Sequence, residues 1–151
     1  NMDEYYIFRT AWLYGVGGNN FVKTMTKLGS TRDEINVVAD QHGSPTYAKD
    51  LTEIIYQAIK KNIPFGIYNA TNEGYTTWYE FTKEILAEQG IECKVNPVTT
   101  EEYIEMMKIT QAKRPFNSQM SKAKLEACGI KVPEWKDGLK RYLEEAKNLE
   151  Q

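Results

Sequence analysis

Apolar side chains recur along the chain in two kinds of pattern. The segment 5–13 is aromatic and β-branched with no polar alternation until Arg9, which predicts a strand buried on both faces, as in a parallel sheet. Shorter apolar runs at 35–38 and 66–70 predict two more strands. Apolar residues three and four positions apart predict helices at about 19–28, 48–61, 77–86, 99–106, 121–128 and 134–147.

Capping residues mark the ends of several predicted helices. Asn19 or Asn20 opens the first helix. Thr77 and Thr99 each stand three residues before a glutamate, which is the spacing of a capping box. Gly129 is placed to end the segment before it.

Strands that alternate with helices predict an α/β fold. A chain of 151 residues suits one sizeable core, and no linker or internal repeat divides it, so residues 1–151 are predicted to form a single unit. The strand at 5–13 has no earlier partner in the chain. We therefore expect the sequence to begin within a larger fold.

Composition excludes several classes of function. Nineteen Lys and Arg against twenty-one Asp and Glu give a net charge of −2, which argues against a nucleic-acid partner. No apolar run approaches the ~18 residues of a membrane span, and no signal peptide precedes the first strand. Cys93 and Cys128 stand alone and His42 is the only histidine, so a zinc site and a Ser-His-Asp or Cys-His centre built around any other histidine are excluded. We expect a cytoplasmic protein.

A glycine-rich loop at 14–18 lies between the first strand and the first helix, where a dinucleotide-binding loop would stand. The G-x-G-x-x-G pattern starting at Gly15 requires a glycine at position 20, and Asn20 is there. Asp40 mimics the ribose-binding acid of such folds but is weak evidence without the glycines. A surface turn is favoured over a phosphate cradle, although the helix start could hold an anion.

Tyr-x-x-x-Lys, the acid/base unit of short-chain dehydrogenases, occurs twice, as Tyr56–Lys60 and Tyr79–Lys83. Ten tyrosines in a lysine-rich chain make chance matches expected. Both pairs fall on amphipathic helices, where Tyr and Lys four positions apart are ordinary neighbours. We predict that neither pair is catalytic.

Two further side chains stand where a ligand would be bound. Trp12 follows the first strand at its carboxyl end, the edge at which open α/β sheets bind ligands, and a place in the core is equally open to it. Arg114 lies in a polar loop, where it is either solvent-exposed or a fork for a phosphate or carboxylate.

Four segments carry a resemblance to a known family. They read RTAWLYG at 9–15, GNNFVKTM at 18–25, VVADQHGSPTY at 37–47 and RPFNS at 114–118. In this order and spacing they resemble the C-terminal half of the dTDP-4-dehydrorhamnose reductases, which are extended short-chain dehydrogenases/reductases. The match covers nearly the whole chain, and the Asp-Gln-x-Gly-Ser-Pro-Thr run is specific to this branch.

The resemblance implies an NADPH-dependent oxidoreductase that converts dTDP-4-dehydro-β-L-rhamnose to dTDP-L-rhamnose for polysaccharide biosynthesis. The family's Gly-rich cofactor loop and catalytic Tyr-x-x-x-Lys belong to an N-terminal Rossmann half that has no counterpart here. The chain then corresponds to the C-terminal part of a Rossmann-type parallel sheet plus a small α/β substrate-binding lobe. It would hold no catalytic residue and would be inactive alone.

The resemblance also implies roles for residues near the first strand. Trp12 matches the tryptophan that packs against the sugar. Thr10 and Ala11 match the strand end beside the nicotinamide of NADPH.

Four more residues match the nucleotide pocket of the family. Asn19, Asn20 and Phe21 fall on the loop and helix start that line this pocket. Arg114 matches an arginine suited to the diphosphate or the thymidine end by its bidentate fork.

The implied partners are the dTDP-sugar, the N-terminal half of the same protein and a second copy, through a homodimer or other self-association. Some family members dimerise around magnesium through glutamates, one just after the Pro-Thr motif, and Lys49 stands near that place here. Two alternatives stay open. One is a regulatory or binding module like the regulatory subunit of methionine adenosyltransferase, and the other is a related nucleotide-sugar epimerase or dehydratase.

Overall fold

The computed structural model describes residues 2–149. Strands and helices alternate along this range in the order β1 (Tyr6–Arg9), β2 (Leu13–Tyr14), α1 (Phe21–Thr31), β3 (Glu34–Val38), β4 (His42–Gly43), β5 (Thr46–Tyr47), α2 (Ala48–Lys60), β6 (Gly66–Asn69), β7 (Thr76–Thr77), α3 (Trp78–Glu88), β8 (Lys94–Val98), α4 (Thr100–Met107), α5 (Ala123–Ala127) and α6 (Trp135–Leu149). Among the helices of this range, none is long and apolar enough to cross a bilayer.

These elements gather into two compact units. The first unit comprises the residues up to Val16, Ser44–Gly74 and the residues from Met120 onward. The second unit comprises Gly17–Gly43 and Tyr75–Gln119. That the whole chain works as one substrate-binding half stays a prediction.

Parallel pairing dominates both units. In the first unit β1 pairs with β6 and β2 with β5, both in parallel. In the second unit β3 pairs in parallel with β8, while the short β4 and β7 are antiparallel. Parallel strands joined through helices confirm the predicted α/β class.

The first strand is shorter and less buried than its sequence predicts. It ends at Arg9, and only the face carrying Tyr6 and Phe8 packs against the core of the first unit. Ile7 on the opposite face is 48% exposed, and Ile67 on the neighbouring β6 is 37% exposed. Among the described residues, one face of this strand is therefore buried and the other is exposed. Burial of the second face stays a prediction, because the strand is expected to belong to a larger fold.

The core of the first unit is formed by α2, β6, α5 and the residues that follow each of them. Its buried members are Ile54, Ala58, Ile63, Tyr68, Ala70, Leu125 and Ile130. Gly129, with a φ of 76°, ends the short α5 as predicted, because a left-handed residue after a helix favours glycine.

A buried polar network ties α2 to α6 in the first unit. Arg141 forms two hydrogen bonds, of 2.7 and 2.8 Å, to the buried carboxylate of Asp50. Asn72 donates to the same carboxylate at 2.7 Å and accepts from the backbone N–H of Tyr47 at 2.8 Å. Hydrogen bonding to Asp50 raises the pKa of the Arg141 guanidinium. A buried carboxylate without such partners would be strongly destabilising.

The second unit packs α1 and α3 against the β3–β8 pair. Ile35, Val37 and Leu86 are the buried centre of this cluster. Strand β8 was not predicted, because Asn96 and Pro97 interrupt its apolar pattern. Pro97 is exposed, as expected for a proline in a two-stranded pair.

Helix starts in the second unit follow the predicted capping residues. Asn20 is the N-cap of α1, and its side chain accepts from the N–H of Lys23 at 2.9 Å. Thr99 forms a complete capping box at α4. At α3 the Thr77 hydroxyl accepts from the N–H of Glu80. Each of these caps decides which residue begins its helix, and two of those first residues belong to the site described next.

Candidate functional site

A cavity of about 400 Å³ opens in the second unit. Three aromatic side chains line it, Phe21, Trp78 and Tyr103, together with apolar residues from α1 and β3. This volume lies within the range of small-molecule sites, which are mostly apolar with a few placed polar groups. A more open recess of about 560 Å³ lies at Thr31–Glu34 and Lys94 and has no aromatic lining.

The rings of Phe21, Trp78 and Tyr103 form an aromatic wall of the cavity. Two of these rings are positioned by the starts of helices. The Asn20 cap makes Phe21 the first residue of α1, and the Thr77 cap makes Trp78 the first residue of α3. The ring centroids of Phe21 and Trp78 lie 4.5 Å apart with planes tilted by 50°. Phe21 also stacks on the buried Phe81, at 5.6 Å and 18°. The wall is therefore anchored in the core of the second unit.

The polar side chains at the cavity include three amides and one guanidinium. Asn36, Gln41 and Gln111 contribute amides, and Arg114 contributes the charge. No carboxylate occurs among the described residues that line the cavity. A planar uncharged ring would be held by the aromatic wall and amides, and an anionic group by the fork of Arg114.

The loop that carries Arg114 is held by backbone hydrogen bonds to His42. The N–H of His42 donates to the carbonyl of Phe116 at 2.7 Å, and the N–H of Ser118 donates back to the carbonyl of His42 at 2.8 Å. These bonds fix the loop two and four residues after Arg114. His42, the only histidine, thus acts here through its backbone.

Of the predicted nucleotide-pocket residues, Phe21 and Arg114 line this one cavity. Asn19 is exposed and Asn20 is half-buried, and neither is among the residues that line it. Asn20 uses its side-chain oxygen to cap α1. Its contribution to the cavity is therefore the placement of Phe21, and a direct ligand contact by Asn19 or Asn20 stays a prediction.

A second candidate site lies in the first unit, at the carboxyl end of β1. Thr10 is exposed, while Ala11 and Trp12 are half-buried. The carbonyls of Ala11 and Trp12 are held by Thr46, whose hydroxyl donates to Ala11 at 2.8 Å and whose N–H donates to Trp12 at 3.0 Å. Trp12 has a φ of 49°, a left-handed conformation that is uncommon for a bulky residue.

Several residues of these sites were missed by the sequence reasoning. Thr46 and Gln41 both lie in the Asp-Gln-x-Gly-Ser-Pro-Thr run, whose specificity was noted without assigning roles to its members. Trp78 and Tyr103 were taken only as parts of amphipathic helices. A tryptophan directly after a helix cap was the available signal for Trp78.

The two Tyr-x-x-x-Lys pairs are side-chain neighbours on helix surfaces. Lys60 Nζ lies 5.7 Å from the centre of the Tyr56 ring, and Lys83 Nζ lies 5.1 Å from that of Tyr79. These are cation–π contacts between adjacent turns. They place the ammonium over the ring face.

The place near Lys49 does not fit a magnesium ion. Lys49 Nζ lies 2.7 Å from Glu145 Oε1, and the hydroxyl of Tyr47 donates to the other oxygen of that carboxylate. Both bonds lower the pKa of Glu145, with the larger effect from Lys49. Within residues 2–149, no group of three or more His, Cys, Asp or Glu is arranged to hold a metal ion.

Parallel strands joined through helices, with a cavity beside the β3–β8 pair, place the chain in the Rossmann-like α/β class. More narrowly, the chain belongs to the RmlD substrate binding domain family, which matches residues 1–148.

Individual relatives agree with this family. The spore coat polysaccharide biosynthesis protein SpsK of Bacillus subtilis (strain 168) is 45% identical over 139 residues, covering 92% of this chain and 47% of SpsK. The dTDP-4-dehydrorhamnose reductase of Aggregatibacter actinomycetemcomitans is 40% identical, covering 89% of this chain and 48% of the reductase. The chain thus spans about half the length of these curated relatives.

A solved structure gives the same result. The dTDP-4-dehydrorhamnose reductase of Bacillus anthracis, in complex with NADP, matches with a TM-score of 0.84 and 43% identity, over 95% of this chain and 49% of that one. The chain therefore has the fold of about half of such a reductase.

Proposed function

We propose that this chain is the dTDP-sugar-binding part of an NADPH-dependent reductase that converts dTDP-4-dehydro-β-L-rhamnose to dTDP-L-rhamnose. The observation that carries the proposal is the cavity of the second unit, with an aromatic wall, amides and the Arg114 guanidinium. These three kinds of group suit a thymidine diphosphate, which joins a planar base to an anionic diphosphate.

The nucleotide would occupy this cavity in a defined direction. The thymine ring would lie against Phe21, Trp78 and Tyr103, since aromatic faces stack on bases with little regard to their polar edges. Amides can donate to and accept from such a base edge. Arg114 would pair with the diphosphate, because a guanidinium fork matches two phosphate oxygens.

The residues after β1 would hold the reacting end of the substrate. Trp12 would orient the sugar ring, while Thr10 and Ala11 would lie beside the nicotinamide. NADPH, when bound, supplies the hydride that reduces the 4-keto carbon. The fixed carbonyls of Ala11 and Trp12 support this role, because a positioned ring raises the rate through orientation.

The proton for the carbonyl oxygen would come from outside these residues. The two Tyr-x-x-x-Lys pairs of the chain lie on helix surfaces, and none of their four residues is among those that line the cavity. We propose that the proton donor and the main cofactor contacts come from a segment equivalent to the other half of the longer relatives. The chain alone would then have no reductase activity.

Two other functions were open from the sequence, a regulatory module that works by protein contact and an epimerase or dehydratase. The name of the A. actinomycetemcomitans relative favours the reductase over both. A titration of the chain with dTDP separates a nucleotide-sugar enzyme from a regulatory module.

The reaction itself is tested by a fusion. The N-terminal half of the A. actinomycetemcomitans reductase is joined to this chain, and NADPH oxidation is followed with dTDP-4-dehydrorhamnose. We expect activity from the fusion and none from either half alone. Activity of the chain alone would contradict the division of labour, and a folded fusion that binds dTDP and NADPH without turnover would contradict the assigned reaction.

A further inference from the structure

The side chain of Gln41 is buried at the lining of the cavity, and both ends of its amide are engaged. Its Oε1 accepts from the indole Nε1–H of Trp78 at 3.2 Å. Its Nε2 donates to the hydroxyl oxygen of Thr100 at 3.0 Å. Gln41 therefore connects the aromatic wall to the start of α4.

The orientation of that amide is fixed by Asp40. The Thr100 hydroxyl donates to Asp40 Oδ1 at 2.6 Å, and the Thr100 N–H lies 3.0 Å from each oxygen of the same carboxylate. Since the hydroxyl proton points to Asp40, the Thr100 oxygen accepts from Gln41. The hydrogen bonds thus run one way, from Trp78 through Gln41 and Thr100 to Asp40.

This arrangement determines what Trp78 offers to a ligand. The indole N–H donates to the protein, so the ring borders the cavity chiefly with apolar surface. We propose that Gln41 is a positioning residue, which holds the Trp78 ring in the orientation that stacks on the base of the nucleotide. The inference rests on the proposed function, because it takes the ligand to carry a planar base.

Only an uncharged amide fits this place. A glutamate at position 41 would oppose the Thr100 oxygen with a second acceptor and place a negative charge near Asp40. An apolar side chain would remove the partner of the indole N–H and of the Thr100 oxygen. Neither would hold the ring.

Thr100 allows a test that does not alter the cavity lining, since neither Thr100 nor Asp40 is part of it. Thr100→Val removes the acceptor for Gln41 with little change of shape, and Thr100→Ser keeps it. The matched control is Thr26→Val. Gln89 Nε2 donates to Thr26 Oγ1 at 2.8 Å, so the control removes the same kind of bond in the same unit, away from the lining.

The first measurement uses the indole N–H signals of the three tryptophans in a ¹⁵N-labelled sample of the chain. We expect the Trp78 signal to move in Thr100→Val and to stay in place in Thr100→Ser and Thr26→Val. An unmoved Trp78 signal in Thr100→Val would overturn the proposal.

The second measurement is titration with dTDP. We expect Thr100→Val to bind about three- to tenfold more weakly than the unmodified chain, the loss expected from one neutral hydrogen bond. Thr100→Ser and Thr26→Val should bind within about twofold of it. Equal affinity of Thr100→Val and the unmodified chain would overturn the positioning role and leave the proposed function standing. Failure of the unmodified chain to bind dTDP would contradict the proposed function and, with it, the nucleotide assigned to Gln41.

Discussion

The backbone N–H of Thr46 donates a hydrogen bond of 3.0 Å to the carbonyl oxygen of Trp12. Trp12 is one of three non-glycine residues with positive φ among residues 2–149. Such a conformation costs of order 1–3 kcal/mol and persists where surrounding contacts enforce it. Thr46, fully buried, supplies two such contacts, one to Trp12 and one to Ala11. The motif that contains Thr46 therefore shapes the end of β1.

Thr46→Val should destabilise the chain by about 1–3 kcal/mol, because the carbonyl of Ala11 loses its donor with almost no change in volume. Thr82→Val is the control, since Thr82 is equally buried and its hydroxyl donates to a carbonyl inside α3. Urea unfolding of both variants gives the comparison. Equal free energies of unfolding for Thr46→Val and the unmodified chain would contradict this role of Thr46.

Two substitutions of Trp12 separate its ring from its backbone. In the active fusion, Trp12→Ala and Trp12→Gly should both lower kcat, since both lack the ring that orients the sugar. The glycine variant should be more stable than the alanine variant by about 1 kcal/mol, because glycine adopts a φ of 49° without strain. NADPH oxidation and urea unfolding are the measurements. An unchanged kcat in both variants would contradict the role of Trp12 in orienting the sugar.

Gly138 in α6 should resist replacement by alanine. A Cβ there would lie 3.1 Å from Asp50 Oδ2 and 3.2 Å from Asn72 Oδ1. Both atoms are held by the network with Arg141 and Tyr47, so they have little freedom to move. We expect Gly138→Ala to destabilise the chain by about 1–2 kcal/mol, although alanine favours helices.

The control for Gly138→Ala is Asn148→Ala on the exposed part of the same helix, which should change stability by less than about 0.5 kcal/mol. Thermal or urea unfolding compares the two. If Gly138→Ala stabilised the chain, Asp50 and Asn72 would have moved to accommodate the Cβ, which would contradict the prediction.

Glu145 should make the free energy of unfolding of the chain depend on pH in the acidic range. Its pKa is lowered by Lys49 and Tyr47, so its stabilising effect is present above the ordinary value of 4.5 and is lost as the pH falls through the lowered pKa. Glu145→Gln should flatten this part of the pH profile. The measurement is urea unfolding between neutral pH and about pH 3. An identical profile for the variant would contradict the assignment.

The sequence predicted the elements with strong local signals. Asn20 and Thr99 cap helices as predicted, and Gly129 ends one. Strand β8 was missed because its pairing with β3 depends on a distant partner, which overrides the polar Asn96 and Pro97. The break after Arg9 was missed for a similar reason, since Thr46 enforces it from 34 residues away at Trp12.

The residues of the candidate sites show the same contrast between local signals and distant contacts. Phe21 and Arg114 were named from the resemblance, and they line one cavity. Gln41, Trp78 and Thr100 gave no local signal of their connection, because a chain of hydrogen bonds depends on tertiary contacts. Local sequence patterns therefore located helix ends and a charged residue of the cavity. The hydrogen bonds between distant side chains could be identified only from the three-dimensional structure.

The most direct test of the proposed nucleotide site is calorimetric titration of the purified chain with dTDP, repeated for two variants of Arg114 and one of Arg32. Arg114→Ala should weaken binding about tenfold to a hundredfold, since a charge-assisted bidentate contact is worth about 1.5–3 kcal/mol. Arg114→Lys should recover only part of the loss, because a point charge lacks the planar fork. Arg32→Ala, an exposed arginine of the same unit outside this cavity, should leave dTDP affinity unchanged. Saturable dTDP binding with this order of affinities is the predicted result, and unchanged affinity in Arg114→Ala would contradict the assignment of the cavity.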